Sequence, residues 1–182
     1  DEGKKLWSKT TFEQRNKVVL DYANHLEDHM EQAASNLVAH ANKTYFNAIG
    51  EVRESIDFIR YYTEQAEKLY NNGDTLSYTG EINMTTYQSQ GVWMVIAPWN
   101  FPLAIFVGPI IAALLTGNTV LAKPAPQTIR VAETAVSCML ECGIPDYAIR
   151  LCNPDPNEAE IAVADERIGG ITFTGSHKTA KR

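Results

Sequence analysis

The first seventy residues carry apolar side chains at the spacing of two long amphipathic helices. Thr10 followed by Glu13 is a capping-box pattern, which predicts that the first helix begins there. Apolar residues then recur every three or four positions in each helix, as one buried face requires. The two faces comprise Val19, Ala23, Leu26, Met30, Ala33 and Leu37, and then Ile49, Val52, Ile56, Ile59, Ala66 and Leu69. The second helix should end near Asn71-Asn72-Gly73, where glycine tolerates a left-handed cap.

The hydrophobic pattern changes twice after the second helix. From Thr75 to Gln90, apolar residues lie among Gly, Asn and Ser, which predicts short strands or a β-hairpin. From Gly91 onward, short apolar runs typical of strands buried on both faces alternate with helical stretches. The predicted strands are Val92–Ile96, Thr119–Ala122, Ala148–Cys152 and Gly170–Phe173. The predicted helices are about Ala104–Leu115, a helix capped by Thr128 that runs to Glu141, about Asn157–Ala164, and one opened by Gly175-Ser176.

Strand–helix–strand alternation at this pitch predicts parallel strands joined by right-handed crossovers. The fold class is therefore α/β, a doubly wound parallel sheet preceded by two long helices and a short β-hairpin. Ligands of such sheets bind at the carboxyl ends of the strands. The candidate site loops are Ala97–Pro102, Lys123–Gln127, Asn153–Pro156 and Thr174–Lys178.

Composition narrows the classes of function. The chain has 182 residues, 45% of them hydrophobic and 21% charged, which excludes global disorder. A net charge of −6 argues against a nucleic-acid binder. The longest apolar stretch, around Leu103–Leu115, is shorter than the roughly 20 residues of a transmembrane helix, so we expect no stable membrane insertion. Three cysteines without disulfide or zinc spacing, and no signal-peptide core, favour a cytoplasmic location.

Both ends of the sequence suggest a segment of a longer protein. The chain has no initiator Met, and it stops at Ala180-Lys181-Arg182, just inside a predicted helix whose apolar face is incomplete. We therefore expect further sequence beyond this segment. The alternative is a complete small protein with a frayed tail.

The first two candidate loops hold polar side chains suited to chemistry. In Pro98-Trp99-Asn100-Phe101-Pro102, two prolines fix the backbone around an amide that could donate to a developing negative oxygen. Alternatively, Asn100 caps the next helix. Lys123 directly follows the second predicted strand and could reach a ribose or phosphate as a point charge, or it could be an ordinary solvated lysine.

The other two loops bear on anion binding. Gly175 permits a ligand to approach the backbone closely, and Ser176 begins a helix whose free N–H groups favour an anion. An ordinary N-cap serine would give the same sequence pattern. The third loop has no glycine and carries Asp155, which argues against tight anion binding there. The Gly-x-Gly-x-x-Gly fingerprint of dinucleotide-binding folds is absent.

Three blocks of sequence together resemble the aldehyde dehydrogenase superfamily. They are Pro98–Pro102, Gly117-Asn118-Thr119-Val120-Leu121-Ala122-Lys123-Pro124, and Phe173-Thr174-Gly175-Ser176, and their order and spacing also fit. The resemblance runs from about Trp7 to Arg182. Residues 42–44, 48–54 and 57–62 look most like one branch, the pyrroline-5-carboxylate (glutamate semialdehyde) dehydrogenase module of bifunctional proline utilisation A.

This resemblance implies a domain organisation. Residues 1–182 would form part of an NAD(P)-binding domain of the aldehyde dehydrogenase fold, without its catalytic domain. Residues 1–74 would be a helical lead-in, 75–90 part of an oligomerisation flap, and 91–182 the parallel α/β core. The family's usual assembly implies a homo-oligomer.

The resemblance also implies roles for individual residues. Asn100 matches the asparagine that stabilises the oxyanion of the thiohemiacetal, and Lys123 the lysine that binds the adenosine ribose. Ser176, with Gly175, matches the contact to the pyrophosphate. The remaining cofactor-binding residues would be the strand end Ile96, Ala97, Pro98 and Trp99, and Pro156 on the adenine face.

The implied activity is oxidation of an aldehyde to a carboxylate with NAD or NADP. The branch points to L-glutamate 5-semialdehyde, converted to glutamate in proline catabolism. The family's nucleophilic cysteine and water-activating glutamate would lie beyond residue 182, so we expect no turnover from this segment alone.

Departures from the family pattern support a competing hypothesis. Pro126 stands where many members have the glutamate that grips the ribose, the third loop has Asn153, Asp155 and Ala159 where glycines are usual, and His177-Lys178 follow Gly-Ser. The alternatives are a degenerate, non-catalytic module with a scaffolding role and, more remotely, an unrelated doubly wound nucleotide-binding domain.

The cysteines and histidines suggest no metal site. We interpret Cys138, Cys142 and Cys152 as buried free thiols, since half a metal site at Cys138 and Cys142 lacks further ligands. His25 and His29 share a helix face that could ligate a metal, but the sequence specifies no acidic or cysteine partner, and we favour a solvated face. His177 could alternatively face the pyrophosphate.

Overall fold

In the computed structural model, residues 2–71 and 77–181 are described. Four helices come first: α1 Glu2–Trp7, α2 Phe12–Asp28, α3 Met30–Ala41 and α4 Tyr45–Asn71. The elements that follow are β1 Val92–Ile96, α5 Ala104–Leu115, β2 Thr119–Lys123, a 3₁₀ turn Pro126–Thr128, α6 Ile129–Glu141, β3 Ile149–Leu151, α7 Pro156–Val163, β4 Ile168–Phe173 and α8 His177–Ala180.

The four strands form one parallel sheet in the order β3-β2-β1-β4. This agrees with the doubly wound α/β fold expected from the sequence, and all four strands lie within two residues of their predicted bounds. At the amino-terminal edge, the Asn118 side-chain oxygen accepts hydrogen bonds from the backbone N–H groups of Gln90 (2.7 Å) and Gly91 (3.1 Å). Asn118 thereby aligns the starts of β1 and β2.

The crossover helices divide between the two faces of the sheet. The chain moves from β1 through β2 to β3 in one direction, so right-handed crossovers place α5 and α6 on one face. The step from β3 back across the sheet to β4 places α7 on the other face. Helices α2 and α4 pack on α5, and α3 packs on α6, so the lead-in helices form an outer layer on the first face.

Helix α5 lies at the centre of the core and has no charged residue of its own. Phe106, Ile110 and Leu114 are fully buried on it. Its last carbonyls are satisfied by the lead-in helices: the Trp7 indole N–H donates to Leu114 O (3.0 Å), and the Arg15 Nε–H donates to Leu115 O (2.9 Å). The lead-in helices are therefore part of the same core as the sheet. No helix within residues 2–71 and 77–181 is both long and apolar enough to cross a bilayer.

The predicted first helix is in fact two helices, and its start was misplaced by one residue. The capping box joins Thr11 and Gln14, not Thr10 and Glu13. The helix breaks at His29, which is both the C-cap of α2 and the N-cap of α3. Periodicity could not reveal the break, because apolar spacing continues through it. Helix α4 ends at Asn71 as predicted, whereas the proposed cap at Gly73 lies outside the described residues.

Two other predicted features differ from the structure. Residues 77–90 contain an isolated bridge at Met84 and a turn at Thr79-Gly80 but no strand, and the start of Thr75–Gln90 lies outside the described residues, so the predicted hairpin is not seen in the described part. Tyr78 and Ile82 are largely exposed there, and a two-stranded ribbon without a buried face is marginal. Thr128 precedes α6 as predicted, but its hydroxyl donates to Ala125 O (3.4 Å) and makes no cap.

Candidate functional site

The carboxyl ends of the four strands lie at one edge of the sheet. Ile96 is the register partner of both Lys123 on β2 and Phe173 on β4. The ladder continues one residue further, with Ala97 N–H donating to Lys123 O and Thr174 N–H donating to Ile96 O, both at 3.0 Å. The candidate loops after the strands therefore leave the sheet side by side, as the sequence predicted.

The strand order reverses at this edge between β1 and β4. The chain leaves β1 toward β2, while β4 joins on the opposite side of β1. Open α/β sheets bind ligands in the crevice that forms at such a reversal. The loops on either side of it carry Asn100 after β1 and Gly175-Ser176 after β4.

Asn100 is exposed in the short loop between Pro98 and Pro102. Its side chain has no hydrogen-bond partner among the residues that the structure describes. It does not cap α5, because the N-cap residue is Leu103, which makes no side-chain cap either. The alternative reading of Asn100 as a helix cap is therefore wrong, and its amide is available to a ligand.

The residue that caps α5 comes from a different helix. Glu51 on α4 is 1% exposed, and its Oε1 accepts from the backbone N–H groups of Leu103 (2.8 Å) and Ala104 (3.2 Å). Its Oε2 forms an ion pair with the Lys43 ammonium, which also lies 4.1 Å from the centre of the Phe101 ring. A buried carboxylate at the positive end of a helix is well placed electrostatically.

The sequence interpretation missed Glu51 and Lys43, although a signal was present. Glu51 lies three residues after Ala48 and four before Ser55, on the buried face of α4. A charged residue in an apolar stripe needs a partner, because an isolated buried charge is very costly. The position of Glu51 in the apolar stripe could have indicated that its carboxylate has a partner. The stripe does not indicate which backbone groups the carboxylate contacts.

Asn100 lines a cleft of about 580 Å³ between its loop and the start of α4. Trp99, which is 62% exposed, and Phe101 contribute aromatic walls. Arg53 and Glu54 bring one charge of each sign to the lining. The cleft therefore combines a free amide, aromatic surface and opposite charges.

The strand end before Asn100 is more enclosed. Ala97 is buried, whereas Ile96 and Pro98 are half-buried at the end of β1. Together with Trp99, these residues follow one another at the carboxyl end of β1, beside the point where the strand order reverses.

Lys123 is the last residue of β2 and is half-buried. Among the described residues, nothing forms an ion pair or hydrogen bond with its ammonium. A half-buried cation without an acidic partner at the carboxyl edge of a sheet is suited to an anionic or polyhydroxylated ligand. Pro126, in the same loop, is exposed and begins the 3₁₀ turn.

Ser176 is the N-cap of α8, which agrees with the interpretation of this residue as an ordinary N-cap serine. Its Oγ accepts from Thr179 N–H (3.2 Å) and lies 2.9 Å from the Thr179 hydroxyl. A Cβ at Gly175 would lie 2.7 Å from the tip of the Phe173 ring, so a larger residue there would have to displace that ring. His177 follows as the first residue of α8 and is exposed. None of these contacts tests a ligand role for Ser176, so that role stays a prediction.

The third loop is organised around the start of α7. Asp155 is the N-cap, and its Oδ1 accepts from Asn157 N–H (2.8 Å) and Glu158 N–H (2.9 Å). The carboxylate therefore occupies the N–H groups that could otherwise bind an anion. Pro156 is the first residue of α7 and is exposed near the edge of the sheet, as is Asn153.

The three cysteines are free and half-buried. Cys138 and Cys142 pack against the core, as expected of buried thiols. Burial raises the pKa of all three thiols above the ordinary value of 9.0, and at Cys152 it outweighs the opposing effect of the nearby Lys123 ammonium. None of them therefore has the lowered pKa of an activated nucleophile.

Alkylation by iodoacetamide should be slower at each cysteine in the native protein than in the urea-unfolded protein at pH 7.5. Only the thiolate reacts, and a raised pKa reduces its fraction at neutral pH. The native rates should climb steeply as the pH passes 9. Peptide mass spectrometry gives each rate separately, with N-acetylcysteine as the reference thiol. Fast native alkylation of Cys152 at pH 7.5 would contradict this assignment.

His25 and His29, which share a face of α2 and its C-cap, contact each other. The His25 and His29 rings stack with their centres 4.3 Å apart, and His29 Nδ1 lies 3.0 Å from His25 O. No group of three or more potential ligands capable of holding a metal occurs within residues 2–71 and 77–181.

Comparison with known proteins gives a consistent result along the whole chain. The family model described as "Aldehyde dehydrogenase family" matches residues 1–182. The bifunctional protein PutA of Salmonella typhimurium is 40% identical over 177 residues. That alignment covers 96% of this chain but 12% of the relative, so the chain spans a small part of that protein.

Solved structures show the same relationship. A structure of proline utilization A with proline bound in remote sites matches with a TM-score of 0.94 and 40% identity, covering 99% of this chain and 19% of that one. A 1-pyrroline-5-carboxylate dehydrogenase from Thermus with bound NAD matches with a TM-score of 0.91 and 32% identity, covering 99% of this chain and 36% of that one. The similarity therefore extends to the arrangement of the described elements.

Proposed function

The chain belongs to the aldehyde dehydrogenase family, and on that premise we propose that it is the amino-terminal part of the nucleotide-binding region of an enzyme that oxidises an aldehyde to a carboxylate. The observation that carries the proposal is the unpartnered Asn100 amide at the strand-order reversal, beside the cleft it lines. Relatives named for proline utilisation and 1-pyrroline-5-carboxylate oxidation support the same chemistry.

Asn100 would act on the carbonyl oxygen of the aldehyde. As a nucleophile adds to the carbonyl carbon, negative charge develops on that oxygen, and a fixed N–H donor stabilises it without reorganisation. The flanking prolines restrict the backbone, and the amide is not consumed by an internal hydrogen bond. The nucleophile and the group that activates water would come from outside this segment.

The described residues fit a dinucleotide cofactor at the same edge. NAD or NADP, when bound, accepts the hydride that leaves the aldehyde carbon. Lys123 would bind the adenosine ribose, while Gly175 and Ser176 would contact the pyrophosphate. Ile96, Ala97, Pro98 and Trp99 would line the cofactor crevice, with Pro156 against the adenine. The free Lys123 ammonium supports this assignment, and so does the NAD bound in the Thermus relative, with NADP as the alternative cofactor.

The substrate we propose is L-glutamate 5-semialdehyde, oxidised to glutamate in proline catabolism. This compound carries an ammonium and a carboxylate besides its aldehyde. Arg53 and Glu54 place both complementary charges in the lining of the cleft that holds Asn100. A small zwitterion therefore matches this cleft better than an apolar aldehyde does.

The wider context is part of the same proposal. Residues 1–74 would serve as the helical lead-in, 75–90 as part of an oligomerisation flap in a homo-oligomer, and 91–182 as part of the α/β core. The exposed apolar side chains of Tyr78, Ile82 and Met84 support a surface that another chain covers. Three free thiols suit a reducing cytoplasm.

The test is an aldehyde oxidation assay on the full-length protein, with glutamate semialdehyde, propanal and benzaldehyde and with NAD or NADP. We expect reduction of NAD with glutamate semialdehyde at a higher kcat/KM than with either apolar aldehyde.

The Asp155 cap and exposed Pro126 favour a second candidate, a non-catalytic scaffolding module. No reduction with any aldehyde, and no calorimetric heat with NAD or NADP, would refute the proposed activity and favour that alternative.

Replacing Lys123 with methionine should raise the dissociation constant for NAD by about tenfold or more, because a hydrogen bond to a charged group contributes about 1.5–3 kcal/mol. The value of kcat at saturating NAD should change little. Isothermal titration calorimetry measures the affinity, and the exposed Lys9→Met is the control. An unchanged NAD affinity in Lys123→Met would remove Lys123 from the cofactor site.

A further inference from the structure

We propose that Glu51 and Lys43 are positioning residues that hold the Asn100 amide in its working place. The inference rests on the proposed function, because it concerns the geometry of the group that would polarise the aldehyde. Both residues line the cleft that holds Asn100, but in this scheme they act on the loop and not on the substrate. They would act through the backbone that follows Asn100 and through the Phe101 ring.

The Asn100 loop is fixed at two points. On one side, Ala97 N–H donates to Lys123 O across the sheet (3.0 Å). On the other, Leu103 N–H donates to the Glu51 carboxylate (2.8 Å). Only five residues separate these two anchors, and prolines at 98 and 102 restrict the backbone between them. A displacement of the Glu51 carboxylate would therefore be transmitted to Asn100.

Lys43 restrains the Asn100 loop through two further contacts. Its ammonium is paired with Glu51 Oε2, and the same ammonium lies over the face of Phe101, the neighbour of Asn100. The Lys43 side chain is only 13% exposed, and that of Glu51 is 0% exposed. Coulombic and cation–π interactions are stronger at such a site than in water, so both contacts restrain the loop.

Helix α5 depends on this external cap. It has no acidic residue in its first turn and no side-chain cap of its own. Its first N–H groups would otherwise be unsatisfied beneath the Asn100 loop. The Glu51–Lys43 ion pair thus connects the start of α4 to the loop that carries the Asn100 amide. A change in the ion pair would therefore change the position of that amide.

The experiment compares Glu51→Gln and Lys43→Met with a matched pair on the same helix, Glu64→Gln and Lys68→Met, whose side chains form an exposed ion pair. Each variant is made in the full-length protein and assayed with glutamate semialdehyde and NAD. We expect kcat to fall by about 10- to 100-fold in the buried-pair variants, the effect that a misplacement of about 1 Å can produce. The control variants should match the wild type.

Two further readouts separate positioning from a merely structural role. The dissociation constant for NAD should change little, because Lys123, Gly175 and Ser176 lie on other loops that Glu51 and Lys43 do not contact. Lys43→Arg should restore most of kcat, since a guanidinium keeps the charge and can stack on Phe101. A fall in melting temperature with unchanged kcat, or equal losses of kcat and NAD affinity, would overturn the inference.

The design also separates this inference from the proposed function. A wild-type protein that never reduces NAD with an aldehyde refutes the proposed function. A wild-type protein that is active, with buried-pair variants as active as the controls, refutes the positioning role alone. Should Glu51→Gln fail to fold, the partly exposed Lys43 variants decide the question by themselves.

Discussion

Replacing Asn100 with alanine should lower kcat for glutamate semialdehyde by about 10²- to 10³-fold, the usual cost of losing one oxyanion donor. The amide would contribute mainly in the transition state, when the carbonyl oxygen becomes negative. Steady-state kinetics on the full-length protein would show a loss in kcat and in kcat/KM together. Calorimetry should show an unchanged affinity for NAD, because no cofactor contact is removed.

The matched control for Asn100→Ala is Asn153→Ala. Asn153 is also an exposed asparagine in a loop after a strand of the same sheet, but it follows β3 rather than β1. It should leave kcat close to the wild-type value. Asn100→Asp adds a negative charge beside the developing oxyanion and should be at least as damaging as alanine. Equal kcat values for Asn100→Ala and Asn153→Ala would refute the role of Asn100.

Much of the sheet and of its ligand edge was predictable from local pattern. A strand buried on both faces, such as Val92–Ile96, reads as an unbroken apolar run, and the turn at Gly117 (φ +80°) marks the entry to the next strand. Once the strands are parallel, their carboxyl ends must share an edge. The proximity of the loops carrying Asn100 and Lys123 then follows from topology alone.

The features that could not be predicted depend on long-range contacts. The break between α2 and α3 at His29 interrupts a stripe whose spacing continues undisturbed. The cap of α5 comes from Glu51, 52 residues before Leu103. Sequence spacing reports which side chains are buried, but it does not report which distant backbone group a buried charge will contact.

Arg15 provides the complementary case at the other end of α5. It lies on the buried face of α2 and is 4% exposed. Its guanidinium donates to Leu115 O at 2.9 Å and also to Thr10 O, and it stacks 5.5 Å from the centre of the Tyr70 ring. Burial lowers the pKa of the Arg15 guanidinium below its ordinary value. Arginine remains charged at neutral pH in proteins, so α5 is flanked by a buried anion at its start and a buried cation at its end, each favourable to the helix dipole.

Arg15→Met should therefore destabilise the region around α5 by about 2–4 kcal/mol, because the buried Leu115 carbonyl and the half-buried Thr10 carbonyl lose a charged donor. Hydrogen–deuterium exchange of the full-length protein should show faster exchange in peptides covering the end of α5 and the Gly117 turn. Arg130→Met, which removes an exposed ion pair with Glu133 on α6, should cost no more than about 0.5 kcal/mol. If both variants exchanged like the wild type, Arg15 would be only a packed side chain. The lead-in helices would then not stabilise the helix beneath the Asn100 loop.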